Sequence, residues 1–144
     1  MKNKCYEILN RLPYSAPYRF VDELTFISDD KAEGNYTFRS DEFFYKGHFI
    51  DNPVTPGLIL VECMGQIGLV ALALHLFPDI RFTPLLSTVE AEFIHPVFPG
   101  EKVFVVSEKK ACRNGILKCS IRMYNSSQTE VAHTTATLKM KENE

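Results

Sequence analysis

Gly47-His48-Phe49-Ile50-Asp51-Asn52-Pro53-Val54-Thr55-Pro56-Gly57-Leu58-Ile59-Leu60-Val61-Glu62-Cys63-Met64-Gly65-Gln66 is the stretch whose reading decides the fold. Thr55 suits a helix N-cap, because its hydroxyl can accept from the free N–H groups of the first turn. Pro56 suits the first helical position, where no donor is lost. A helix is therefore expected to start here. Gly57 has no side chain and leaves the N–H groups of that turn open to an approaching carbonyl oxygen, which is the geometry of an oxyanion site. Glu62 follows among Ile59, Leu60 and Val61, with Gln66 four residues on and on the same face. A carboxyl in such surroundings is expected to be shielded from water, which disfavours its charge and fits it to donate a proton near neutrality. His48, on the preceding loop, is suited to accept one at the same pH. Taken singly, a loop histidine is usually structural and a helical glutamate usually solvated. An acid, a base and an open helix start so close together favour chemistry.

Outward from this block, the helix runs apolar to about Phe77, roughly the length of a membrane span. Glu62, Gln66 and His75 interrupt it, and a charge at mid-span costs about 2.5–3.5 kcal/mol even on lenient scales. No flanking Lys/Arg bias would orient a span, so a central core helix is the expectation. Downstream, Pro78-Asp79 breaks the helix and strands are expected over Leu85–Phe93 and Lys102–Lys110. Asn114-Gly115 is a strong hairpin signal. Beyond it Leu117, Cys119, Ile121 and Met123 alternate with polar residues, and a last strand sets Ala132, Thr134, Ala136, Leu138 and Met140 on one face. Upstream, a short helix over Tyr6–Leu12 closes at Pro13, and strands are expected over Arg19–Ser28 and Ala32–Phe38. Phe43-Phe44 reads as core or slot wall. One long helix among antiparallel strands implies a curved sheet wrapped around it, in a single domain over residues 1–144.

The 144 residues are 45% hydrophobic and 24% charged, with a net charge of −2, and no Lys/Arg cluster exceeds a pair. Nucleic-acid binding is not expected. Cys5, Cys63, Cys112 and Cys119 form no Cys-x-x-Cys pair and read as small buried hydrophobes of a reducing compartment. The first residues lack the apolar core of a signal peptide, which points to the cytoplasm. His75, near the helix C-terminus, His95 in a turn and His133 on a strand show no metal-ligand spacing.

With these motifs the chain resembles the hot-dog-fold 3-hydroxyacyl-acyl-carrier-protein dehydratases. The likeness runs from Ile8-Leu9-Asn10-Arg11-Leu12-Pro13 and Phe20-Val21-Asp22, through Phe44–Phe49 and Pro53–Gln66, to Glu92–Glu101. It implies that His48 and Glu62 are the catalytic pair, completed across a dimer, with the Gly57 amide on the thioester carbonyl and Gln66 holding Glu62. Phe49 and Leu58 would help bind the substrate. The implied reaction needs no metal or cofactor, and the implied partner is an acyl carrier protein bearing the acyl group. Two departures stand near this site. Tyr14-Ser15-Ala16-Pro17 replaces the family's His-Arg-aromatic-Pro, and Ile50-Asp51 replaces the Pro-Gly after Gly47-His48-Phe49. Both bear on which acyl chain is used more than on reaction type. The competing readings are a hot-dog thioesterase, which would need no loop histidine, and a silent subunit of a dehydratase, which would need neither His48 nor Glu62.

Overall fold

The structure, a computed structural model, describes residues 1–143. Helix α1 (Lys2–Arg11) leads to β1 (Glu23–Ile27) and β2 (Lys31–Thr37). A short 3-10 turn (Phe43–Lys46) precedes helix α2 (Gly57–Leu76). Strands β3 (Phe82–Phe93), β4 (Lys102–Arg113), β5 (Ile116–Asn125) and β6 (Glu130–Glu142) complete one antiparallel sheet in the order β1-β2-β4-β5-β6-β3. The sheet curls around α2, the hot-dog arrangement expected from the sequence. The β4–β5 hairpin turns at Asn114 and Gly115, both at positive φ, as a two-residue turn of this kind requires.

Burial explains why α2 is apolar nearly all round. Met64, Ile67, Leu69 and Leu72 are almost fully enclosed against Val103, Val105, Leu117, Ile121 and Met123 from the sheet. Each such aliphatic side chain contributes about 1.5–3 kcal/mol of transfer free energy. The segment is long and apolar enough to span a bilayer, but most of it is wrapped in protein. Midway, at Gln66–Val70, the helix makes a π turn, with the Ala71 N–H donating five residues back to the Gln66 carbonyl. Gly68 lies inside this turn, where an added Cβ would stand 2.8 Å from Ile121 Cδ1 and 2.9 Å from Ser107 Cβ. Lacking one, the helix approaches the sheet closely, and the buried Ser107 hydroxyl donates to the Gly68 carbonyl at 2.9 Å.

Local readings differ from the structure at several points, among them the start of β3, which begins at Phe82 rather than Leu85. Thr55 does not cap α2: its hydroxyl is buried and bonded to the Tyr45 hydroxyl at 2.6 Å, and its N–H donates to the Val97 carbonyl. Pro56 occupies the cap position instead. Strand β1 begins later than expected, because the Phe20 N–H donates to the Gln66 side chain rather than to a neighbouring strand. Helix α1 extends further toward the N-terminus, burying Cys5 and Ile8. Phe20, Phe38 and Phe44 join Tyr36 in an edge-on aromatic cluster, whereas Phe43 is half exposed.

Strand β3 is an edge strand, and it exposes Leu85, Leu86, Val89 and Phe93 over most of its length. A long edge with unpaired backbone groups and exposed apolar side chains invites pairing with another strand.

Candidate active site

Two elements set the site: the His48–Val54 loop and the first half of α2. The 3-10 turn delivers the chain to Gly47, and the His48 N–H donates back to the Phe44 carbonyl at 3.1 Å. The loop is then pinched shut. The Val54 N–H donates to the His48 carbonyl at 2.9 Å, and Phe49 and Asn52 exchange main-chain hydrogen bonds. The His48–Phe49 peptide is cis, and the two rings stack at 3.8 Å.

His48 Nδ1 lies 2.9 Å from the Val54 carbonyl oxygen. A carbonyl only accepts, so Nδ1 carries the hydrogen, and in the neutral ring Nε2 holds the lone pair. The loop therefore presents a base with its orientation fixed.

On α2, Gln66 is fully buried yet satisfied. Its Oε1 accepts from the Phe20 N–H at 2.8 Å, and its Nε2 donates to the Tyr18 carbonyl at 2.9 Å and to Glu62 Oε1 at 3.1 Å. One amide thus joins the residue 18–20 segment to the carboxylate. Glu62 itself is half-buried rather than enclosed as the sequence suggested, because the sheet leaves this face of α2 uncovered. Within one chain, among the described residues, His48 and Glu62 share no hydrogen bond.

At the helix start, neither the Gly57 nor the Leu58 N–H donates to a protein acceptor among the described residues. The Phe93 ring packs over Gly57, 3.0–3.2 Å from where a Cβ would stand. Beside them is a pocket of about 340 Å³ lined by Gly57, Leu60, Phe93 and Pro96. Phe49 and Leu58 are exposed, as is Ile50 on the loop.

The family resemblance puts Tyr14 near this site, whereas nothing in the sequence picks out Tyr18 as a neighbour of the acid. Burial raises both phenols above their ordinary range, and the Glu62 charge adds to the effect in each case. Both therefore stay protonated near Glu62. No local pattern signals this, since nearly fifty residues separate them from it. Cys63, beside Glu62, is sealed in the core, where burial raises its thiol far above the usual range and leaves it unreactive. Of the remaining histidines, His95 lines the pocket beside Gly57, whereas His75 contacts Asp29 at 2.8 Å and His133 contacts Glu130 and Glu92.

The model of the family described as FabA-like domain matches residues 12–133, which takes in both site elements. The chain belongs to the FabA-like family. Among relatives of this FabA-like chain, the 3-hydroxyacyl-acyl-carrier-protein dehydratase FabZ of Thermus thermophilus is 34% identical over 119 residues, covering 81% of this chain and 82% of that one. The protein of the same name from Caulobacter sp. strain K31 is 31% identical over 115 residues, 78% of this chain and 71% of the other. Among solved structures, the dehydratase heterocomplex ApeI:P from Xenorhabdus doucetiae aligns with a TM-score of 0.77 at 12% identity, covering 92% of this chain and 90% of that one. A hypothetical thioesterase from Streptococcus pneumoniae with coenzyme A gives 0.63 at 9% identity, with 84% and 86% covered. At such identities these structures share the fold, and the FabA-like assignment rests on the sequence matches.

Proposed function

We propose that this FabA-like chain dehydrates 3-hydroxyacyl thioesters carried on acyl carrier protein, giving the trans-2-enoyl thioester, in fatty-acid or related acyl-chain synthesis. The observation that carries this reading is His48 Nδ1 bound to the Val54 carbonyl, which leaves Nε2 as a directed base. Nε2 takes a proton from C2 of the substrate. The charge that develops on the thioester oxygen meets the unpaired Gly57 N–H at the start of α2, an interaction worth about 3–4 kcal/mol per donor in comparable sites. Glu62, held by Gln66, protonates the C3 hydroxyl directly or through a water it orients, and the hydroxyl leaves as water. The C2–C3 double bond forms from the C2–H electron pair, and proton exchange with solvent restores His48 and Glu62. Phe49 and Leu58 give the acyl group apolar contact at the approach.

His48 and Glu62 act as a pair in a dimer, His48 from one copy and Glu62 from the other. The exposed apolar edge of β3 supports this, since a second copy of the same strand satisfies its backbone groups and covers Leu86, Val89 and Phe93. The setting is the cytoplasm.

The test offers the purified protein a 3-hydroxyacyl thioester and follows two signals. Absorbance of a conjugated enoyl thioester is the expected outcome. Release of free thiol without it would show hydrolysis and replace this reading with a thioesterase.

A further inference from the structure

The loop that carries His48 has no core of its own. From Lys46 to Val54 no residue is buried, whereas Tyr45 before it and Thr55 after it both are. Such a loop takes its shape from its anchors, because solvated side chains hold no fixed position. Here the anchors are joined to each other. The Tyr45 and Thr55 hydroxyls meet at 2.6 Å inside the protein, at the short end of the range for such bonds. Among the described residues no other pair of side chains bonds across the base of the loop.

Each anchor is held in turn. Tyr45 sits in the 3-10 turn, its N–H donating to the Glu42 carbonyl at 3.2 Å, and its ring packs edge-on against Phe44 with centroids 4.6 Å apart. The Thr55 N–H donates to the Val97 carbonyl at 2.8 Å. Burial raises the Tyr45 phenol above its ordinary range, so it keeps its hydrogen wherever a histidine base works.

The path from this bond to the chemistry is short. Val54, adjacent to Thr55, offers the carbonyl that receives the His48 Nδ1 hydrogen, and its own N–H donates to the His48 carbonyl. His48 itself follows closely on Tyr45. A slide of Thr55 against Tyr45 therefore shifts the acceptor that orients the imidazole. The open Gly57 amide lies just beyond Thr55, and both residues line the same pocket. Phenylalanine and valine would fill the same space, but apolar contact has no direction and sets no such register.

We infer that Tyr45 and Thr55 are positioning residues, whose hydroxyl–hydroxyl bond closes the base of the loop and keeps the His48 base aimed at the substrate. This rests on the dehydratase reading above.

The test measures kcat and KM for a 3-hydroxyacyl thioester in Tyr45→Phe, Thr55→Val and the double variant, with melting temperatures on the same preparations. Each single variant buries a lone hydroxyl and frees the loop, so each should melt earlier and lose about tenfold in kcat with KM little changed. The double variant sets apolar groups against each other, so its melting temperature should return toward the parent's while kcat stays as low as in the singles. Thr55→Ser keeps the hydroxyl and should regain most of the parent kcat. The inference is overturned if kcat recovers with the melting temperature in the double variant, if the two single losses multiply, or if either single variant turns over within about twofold of the parent. Should the parent leave the thioester untouched, the dehydratase reading fails by itself, and the loop is judged by amide hydrogen exchange. In the double variant the Val54 N–H, which reports closure onto His48, should then exchange about tenfold faster than in the parent while the β5 amides keep their rates. Equal Val54 rates in the two proteins would refute the positioning role.

Discussion

Replacing Gln66 by Leu separates what this side chain does for the fold from what it does for the acid. Leucine fills much of the same volume but removes three hydrogen bonds at once. The Phe20 N–H, at a residue with no exposure, loses its acceptor, and the Tyr18 carbonyl loses its donor. Leaving these unmet costs about 2–4 kcal/mol, since a buried unsatisfied group costs roughly 1–3 and the second group is nearer solvent. For a chain of this size that lowers the melting temperature by roughly 6–14 °C. Glu62 loses its one hydrogen-bond partner among the described residues, a bond to a charged group worth about 1.5–3 kcal/mol, so turnover is expected to fall by roughly 10- to 100-fold. Thermal unfolding and enoyl absorbance are measured on the same preparation below the lowered melting temperature. A variant that melts early yet turns over within about twofold of the parent would refute the idea that Gln66 positions the acid.

Other perturbations follow from the same geometry. In Gly57→Ala the new methyl meets the Phe93 ring, which is half exposed and can swing aside, so stability should hold while the covered amide reduces kcat by at least about tenfold. Unchanged kcat would remove the Gly57 N–H from the mechanism. Ser107→Ala strips the Gly68 carbonyl of its donor inside the π turn and should cost about 1–2 kcal/mol, whereas a melting temperature equal to the parent's would show that this contact does not hold the turn. Val89→Lys on the β3 edge should leave a folded chain by circular dichroism but give an inactive monomer by sedimentation, and an active dimer would move the subunit contact elsewhere. Burial raises the Tyr14 and Tyr36 phenols above the ordinary value of 10.0, so their contribution to stability is complete below pH 10 and drains away as pH rises above it toward the folded-state value. Tyr14→Phe should therefore flatten the fall in melting temperature between about pH 9 and about pH 11, and an unaltered slope would place Tyr14 in solvent.

Much of this architecture was legible in the sequence because local chemistry and global packing agree there. Asn114-Gly115 can take positive φ at both positions and makes the hairpin it announces. The residues of α2 are apolar on all sides because the sheet encloses most of them. Where reading failed, a distant group had claimed an atom that local rules assigned. The Thr55 hydroxyl belongs to Tyr45, ten residues back, and the Phe20 N–H belongs to Gln66, so one cap and the start of one strand were misassigned. The π turn has no periodic signature, and it is visible only once Gly68 and Ser107 are seen in contact. His48, Gly57, Glu62 and Gln66 could be named because they lie together along the chain. Tyr18 could not, since only the folded chain brings it alongside α2, and Tyr14 comes into view only through the family resemblance.

The central claim is that one working site draws His48 from one copy and Glu62 from another. Mixing inactive His48→Ala and Glu62→Ala proteins under conditions that exchange subunits tests it directly. Random pairing makes about half the dimers mixed, each with one intact His48–Glu62 site, so about a quarter of the parent activity should return. Activity that stays at background after demonstrated exchange would contradict the shared site.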